Sequence, residues 1–371
     1  TENGADYLII TYDGFYDDVL PLAEYRASQG LRTAVARLQD IYDEFTYGVV
    51  EPEAIRDFVA YAYTNWTAPA PAYVLLVGDG HYDFRDYLGT GEPVFMPPYL
   101  AEVDYWIGEA AADNRYVCVS GDDVLPDMAL GRLPVRTTEQ ARAVVEKIIA
   151  YEQAPGSGSW NEQVLFVSDN PDTAGPFYTY SDVLADDYLP APYVPDKVYH
   201  LSTHMTTTES RTAILGALNA GRLLVNYVGH GAVQQWASEG LFRRSDIAGL
   251  TNAGRLPFVV TMACLDGQFT NPSPAGQDAS STAETLVRTP QVGSIATWAG
   301  TGMGLATGHD RLNRALFTAI FAEGTRELGP AVVQAKAYVF SSTTGYRDQI
   351  DEYTLFGDPA QRLNVLTADV T

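Results

Sequence analysis

Two apolar runs in the second half of this chain stop at reactive side chains, and that feature constrains the fold more than any other. Residues 223–227 run into Gly229-His230-Gly231, and residues 257–263 run into Cys264. A buried strand that ends on a reactive residue places it at the carboxyl edge of a sheet, where open α/β folds bind their ligands. The separation of 34 positions between His230 and Cys264 suits one strand, a crossover containing a short helix, and a neighbouring strand. Such a pairing sets a thiol beside an imidazole. These are the minimal parts of a cysteine nucleophile, because the thiolate attacks and the imidazole makes it available.

The remaining pattern is α/β. Residues 7–11, 32–38 and 73–78 read as strands and residues 16–29 and 52–65 as helices, an order that predicts a parallel, helix-covered sheet. Strand-like runs at 116–120 and 128–133 precede an amphipathic helix over 138–153, with Val144, Ile148 and Tyr151 near one face. Ala154-Pro155-Gly156-Ser157-Gly158-Ser159 then breaks the pattern. This predicts an N-terminal α/β subdomain over 1–153, a linker over 154–161 and a C-terminal α/β subdomain over 162–371. The second unit restarts the rhythm with strands at 164–168, 197–202 and 292–298. Its helices fall at 182–188, 210–220, 281–288, 311–322 and 329–340. No short fixed period is visible, which disfavours a solenoid.

Charge and cysteine content narrow the function. A formal net charge of −24 repels a phosphate backbone, so nucleic acid is an unlikely partner. The same acidity favours cationic substrates and suits surface Ca²⁺, and it also serves solubility. The two cysteines, Cys118 and Cys264, make no disulfide framework. Cys118 lies in the alternating run Arg115-Tyr116-Val117-Cys118-Val119 and reads as core. No stretch approaches the ~18 apolar residues of a membrane span. The opening TENGADYLII has neither the basic start nor the apolar segment of a signal peptide.

Around the histidine, glycine on both sides clears bulk for a substrate backbone and leaves the Gly231 N–H free as a donor. The N–H of Cys264 can join it in facing the oxygen of a tetrahedral intermediate. His-Gly after one apolar strand and Ala263-Cys264 after a later one resembles the clan of cysteine peptidases that includes caspases, legumains, clostripain and gingipains. Within that clan the likeness is to the gingipain family. It extends through Gly30-Leu31-Arg32-Thr33, Tyr73-Val74-Leu75-Leu76-Val77-Gly78-Asp79, Gly131-Arg132-Leu133, Asn226-Tyr227, Leu256-Pro257-Phe258 and Phe356-Gly357-Asp358-Pro359.

The resemblance implies a caspase-like three-layer architecture, with two side-by-side α/β subdomains, mostly parallel sheets and catalysis in the second. It implies a cysteine endopeptidase exported from a bacterial cell and acting on protein or peptide substrates. The family's further modules and propeptide are then expected outside these residues. It also implies a carboxylate that steadies the histidine, at the end of the strand over 164–168. Asp169 is the favoured residue, with Asn170 as the alternative by counting. A second carboxylate, at the base of the pocket for the residue preceding the cleaved bond (P1), matches Asp182 and would select Arg or Lys. Asp172 is its alternative, and an Asp opening a helix is common for capping alone.

Residues 300–303 follow an apolar run and are expected to line the cleft, with Thr301 and Met303 as substrate contacts. No redox or organic cofactor is required, and calcium would be structural. His81 with Asp79 and Asp83 suggests a metal site, but a turn closed by Asp and Gly explains the same residues. Two other functions fit the same fold. One is a sortase-like transpeptidase, in which an amine resolves the acyl-enzyme. The other is a binding or scaffold protein without turnover.

Overall fold

The computed structural model describes residues 3–153, 158–273 and 277–366. Its strands in the first half are β1 (Tyr7–Thr11), β2 (Thr33–Arg37), β3 (Tyr73–Val77), β4 (Leu100–Asp104), β5 (Gly108–Ala111) and β6 (Ala129–Leu133). The second half adds β7 (Gln163–Ser168), β8 (Val194–Tyr199), β9 (Leu224–Val228), β10 (Gly231–Ala232), β11 (Gln235–Trp236), β12 (Phe242–Arg243), β13 (Phe258–Met262), β14 (Ala296–Gly300) and β15 (Tyr353–Phe356). Helices are α1 (Tyr16–Ser28), α2 (Leu38–Thr46), α3 (Pro52–Asn65), α4 (Thr138–Gln153) and α5 (Phe177–Val183). They continue with α6 (Thr207–Ala220), α7 (Thr282–Arg288), α8 (Ala306–Phe317), α9 (Leu328–Ser342) and α10 (Arg347–Glu352).

Ten strands form one sheet in the order β2-β1-β3-β6-β15-β14-β13-β9-β7-β8. The two halves lie side by side and share that sheet, with helices on both faces. The last strand makes the join. β15 pairs antiparallel with β14 and parallel with β6, so the strands of the first half run opposite to those of the second. Near-continuous apolar strands such as Tyr7–Thr11 and Phe258–Met262 are buried throughout, as expected for parallel strands covered on both faces. One helical layer crosses the join, with α1 on α4 and α4 on α7.

Two of the short motifs that carry the family likeness, Gly131-Arg132-Leu133 and Phe356-Gly357-Asp358-Pro359, meet at this join. A β-carbon on Gly131 would lie 2.2 Å from the carbonyl oxygen of Gly357, so only glycine lets β6 and the end of β15 approach. The buried Arg132 next to it donates from Nε to Asp113 and from its other nitrogens to the carbonyls of Gly78, Met96 and Pro97. Asp358 accepts from Tyr7 Oη at 2.9 Å and from Arg26 Nη2 at 2.6 Å, and Arg26 also holds Glu152. These buried charges join α1, α4 and the turn after β15.

Several expected elements differ. Residues 116–120 are not a strand. A 3-10 turn covers Asp113–Val117, because Asp113 is held by Arg132 and by the Tyr99 N–H. The run at 292–298 becomes strand only from Ala296, since Gly293 and Ser294 bond back to Asn252 and Leu286. The helix expected at 182–188 begins earlier, at Phe177, and ends in a π-helical turn over Leu184–Tyr188. The edge strand expected at 197–202 is β8, and Leu201 beyond it has φ of +60°. The linker expected over 154–161 falls partly outside the described residues; residues 159–162 form a 3-10 turn. Among the described residues no helix is long and apolar enough to cross a membrane.

Removing one partner of a buried ion pair strands the other charge. Asp358→Ala is expected to lower unfolding stability by about 3–5 kcal/mol in urea titration. A loss below about 1 kcal/mol would show that Glu152 alone satisfies Arg26.

Candidate active site

Three parallel strands set the site. β9 lies between β7 and β13, with Ser168 beside Val228 and Val228 beside Met262. The loops after these strands therefore leave one edge together, and they carry Asp169, His230 and Cys264. The crossover from β9 to β13 is a three-stranded sheet, β10-β11-β12, followed by a 3-10 turn at Arg244–Gly249, in place of the expected α-helix.

The glycines flanking His230 are required by the protein's own packing. A β-carbon on Gly231 would lie 2.4 Å from the Cys264 carbonyl oxygen and 2.8 Å from Ala263 Cβ. One on Gly229 would lie 2.4 Å from Asp169 Cβ. The histidine loop is thus seated directly on the Cys264 peptide and on the loop after β7. Tyr227 fixes it further, its hydroxyl donating to the His230 carbonyl at 2.6 Å while Ala237 N–H donates to the same oxygen.

The imidazole of His230 is exposed and has two neighbours. Its Nε2 is 2.9 Å from Asp172 Oδ2, and Phe177 meets the ring edge-on at 5.4 Å between centroids. Because the carboxylate only accepts, Nε2 carries the proton and Nδ1 is left for proton traffic. The bond to His230 holds the Asp172 carboxyl below its ordinary range, aided by the Ala174 N–H. Asp169 does not touch the ring. It is buried, accepts the backbone N–H of His230 at 3.3 Å and that of Asn170 at 2.8 Å, and is pushed up by burial. The carboxylate on the imidazole is therefore Asp172, three residues beyond the expected Asp169. Asn170 enters this network through its backbone N–H. The turn Asp172-Thr173-Ala174-Gly175, closed by the Ala174 and Asp172 N–H groups, is the local signal that marks Asp172.

Cys264 is partly buried. Its Sγ donates to the Gly304 carbonyl at 3.7 Å and accepts from the Gly304 N–H at 3.4 Å. Burial pushes the thiol up, the Gly304 N–H opposes this, and the carboxyls of Asp104 and Glu352 add to it. Glu352 is itself pushed up to about 9, by burial first and then by the neighbouring carboxyls of Asp104, Asp348 and Asp351. The Cys264 N–H donates to no other group among the described residues, which leaves it for a developing oxyanion. Asp104 reaches this loop from the first half, accepting the Met303 N–H at 2.5 Å.

The remaining expected contacts divide. Met303 borders the nucleophile loop, half-buried. Thr301 is buried, and its hydroxyl donates to the carbonyls of Ala111 and Glu352, so it supports the loop and does not face substrate. Asp182 lies on α5, where its carboxylate takes Tyr199 Oη at 2.9 Å and Lys197 Nζ at 2.7 Å, an ammonium it shares with Asp186. His81 faces the Glu92 carbonyl, Asp83 caps the Tyr87 and Leu88 N–H groups, and Asp79 pairs with Arg136 and Arg288. Among the described residues no group of three or more His, Cys, Asp or Glu is arranged to hold a metal.

A thiol and an oriented imidazole at the carboxyl edge of a helix-covered sheet define a caspase-like cysteine peptidase architecture. The model of peptidase family C25 matches residues 1–364, and the chain belongs to that family of cysteine-type peptidases. Gingipain R2 of Porphyromonas gingivalis is 26% identical over 98% of this chain and 46% of its own length. Lys-gingipain W83 of the same species is 26% identical over 51% of this chain and 11% of its own. The chain thus spans less than half of these curated relatives. In fold it resembles the complex of P. gingivalis RgpB pro- and mature domains, with a TM-score of 0.78 at 22% identity over 96% of this chain and 79% of that one. It also resembles the Arg-specific cysteine proteinase gingipain R, with a TM-score of 0.75 at 24% identity over 98% and 79%.

A thiol raised by burial reacts as its thiolate only at alkaline pH. The rate of Cys264 alkylation by iodoacetamide is expected to climb through the alkaline range, whereas a plateau below neutrality would reveal a resting thiolate–imidazolium pair. Cys118 is buried and pushed up to about 12, so incorporation is expected to stop at one equivalent. Gly231→Ala, which drives a methyl into the Cys264 carbonyl, is expected to lower kcat by about 100-fold or more.

Proposed function

We propose that this chain is a cysteine endopeptidase whose nucleophile is Cys264 and whose acid–base group is His230. The observation that carries the proposal is the seating of Gly231 on the Cys264 peptide, beside an imidazole whose Nε2 is committed to Asp172. As Sγ attacks the scissile carbonyl, its proton passes to Nδ1 of His230. The N–H groups of Gly231 and Cys264 take the oxyanion. Nδ1 then protonates the departing amine, leaving an acyl-enzyme, and Nδ1 next draws a proton from water so that hydrolysis regenerates the thiol. The resting contact of Sγ with Gly304 fits a thiol that loses its proton during attack.

A preference for Arg or Lys at P1 is the finer part of the proposal. It is supported by the names of the Arg-specific and Lys-gingipain relatives and by the net charge of −24, which draws cationic peptides. Asp182 is a poor sole selector, since Lys197 already occupies it. Secretion or display at a bacterial cell surface is proposed on the same family ground.

Hydrolysis of a fluorogenic peptide library varied at P1 tests these readings. Cleavage after Arg or Lys is expected, abolished in Cys264→Ala and retained in Asp182→Ala. Loss of the basic preference in the second variant would show that Asp182 leaves Lys197 for the substrate. Cleavage confined to other residues would discard the P1 proposal. Products joined to an added amine would indicate a transpeptidase, and absence of turnover with no alkylation of Cys264 would indicate a scaffold.

A further inference from the structure

Two residues beyond the nucleophile, Asp266 is wholly buried, and no step above uses it. The indole N–H of Trp236, on the small sheet that begins at Gly231, and the hydroxyls of Thr261 on β13 and Thr282 on α7 are near enough to the Asp266 carboxylate to favour its charge, although the Thr282 hydroxyl also donates to the Val233 carbonyl at 3.3 Å. None of these closes to a direct bond. Both Asp266 oxygens, Trp236 Nε1 and Thr261 Oγ1 are buried without a hydrogen-bond partner.

Trp236 reaches the histidine by two routes. It pairs with Gly231 across β10 and β11, and its ring stacks on Tyr227 at 4.6 Å between centroids, the residue whose hydroxyl holds the His230 carbonyl. On the other side, Leu265 N–H bonds to Gly302 and Gly267 N–H to Gly300, so the segment carrying Asp266 also fixes the loop that cradles Sγ.

We propose that Asp266 is a positioning residue that, when ionised, draws the Trp236 N–H and the threonine hydroxyls together and so clamps the histidine loop onto the nucleophile loop. An ionised carboxylate only accepts, and the indole N–H only donates, so the pair closes in that state. The protonated acid must itself donate and loses part of that acceptance. Burial pushes Asp266 up to about 7, the surrounding donors oppose it, and no formal charge contributes to the shift. The ionisable groups that feel its charge, Tyr227 on β9 and Tyr353 on β15, are raised far above neutrality and stay protonated while it titrates. Cys264 on its own loop is also raised, so it titrates above Asp266.

The sign matters for the test. A raised carboxyl binds its proton more tightly in the folded state, so ionising Asp266 costs stability as pH rises through about 7. The clamp is therefore made at the expense of the fold, and an isosteric neutral residue separates the two effects. The proposal rests on the peptidase reading, so two readouts are used.

In Asp266→Asn, kcat at pH 8 is expected to fall about tenfold or more with KM little changed, the low-pH limb of kcat that belongs to Asp266 is lost, and Tm at pH 8 is equal to or above that of the parent. Amide hydrogen exchange over residues 231–237 is expected to quicken in the same variant and in Trp236→Phe, whether or not any peptide is cleaved. Exchange unchanged in both variants would overturn the clamp. So would a lowered Tm with kcat and exchange altered in proportion, which marks a merely structural residue. Absence of turnover by the parent, with exchange altered as expected, would overturn the peptidase reading alone.

Discussion

The contact on which the site depends is the seating of the histidine loop on the peptide of Cys264. Gly231 comes so close that any β-carbon would strike the Cys264 carbonyl, and this approach follows from the pairing of β9 with β13 in register from Leu224–Phe258 to Val228–Met262. A slip of one residue would turn every buried side chain of either strand to the other face. The register is therefore fixed by apolar burial far from the chemistry, and the imidazole inherits its place from it. Asp172 and Phe177 orient the ring of a loop whose backbone is already seated on the Cys264 peptide.

Electrostatics around the nucleophile run against a resting thiolate. Burial and Asp104 raise the Cys264 thiol, and one backbone N–H opposes them. Elsewhere the same acid-rich chain pairs buried charges, as in Arg26 with Asp358 and Glu152 and Arg132 with Asp113. Asp266 and Glu352, in contrast, are buried with oxygens that lack partners among the described residues. Both lie by the loops that hold the thiol. Unpaired polar groups are expensive in the interior.

Much of this fold was legible because its strands are short, apolar and bounded. β1, α3 and α4 fall where the periodicity places them, and the two strand ends that carry His230 and Cys264 lie side by side as their spacing requires. The elements that escaped are held by distant partners. β15 reads as an unremarkable apolar stretch until it is seen between β6 and β14. Residues 116–120 alternate like a strand, yet Asp113 is held by Arg132 and the chain turns. At the site, counting along one loop pointed to Asn170 and charge favoured Asp169, whose backbone bond to His230 keeps it near the histidine but off the ring. Only the turn at Asp172 brings a carboxylate to Nε2. The flanking glycines were legible as glycines needing space, but the space is filled by Asp169 and Cys264 and not by substrate.

The surroundings of Cys264 depend on the first half of the chain. The Met303 N–H is held by Asp104, and the Thr301 hydroxyl by the carbonyl of Ala111, both from the hairpin of β4 and β5. Gly304, the partner of Sγ, follows Met303 directly. Without those two bonds the segment from Gly300 to Gly304 would keep its tie to Glu352 and to the loop after β13 but would lose its outer support, and one missing hydrogen bond of this kind is worth about 1 kcal/mol. Misplacing a reacting group by an ångström can cost about 100-fold in rate. The sheet that runs unbroken across both halves, joined at Gly131 and Gly357, therefore bears on the candidate site, because it sets the halves side by side and with them the hairpin of one half against the Cys264 loop of the other.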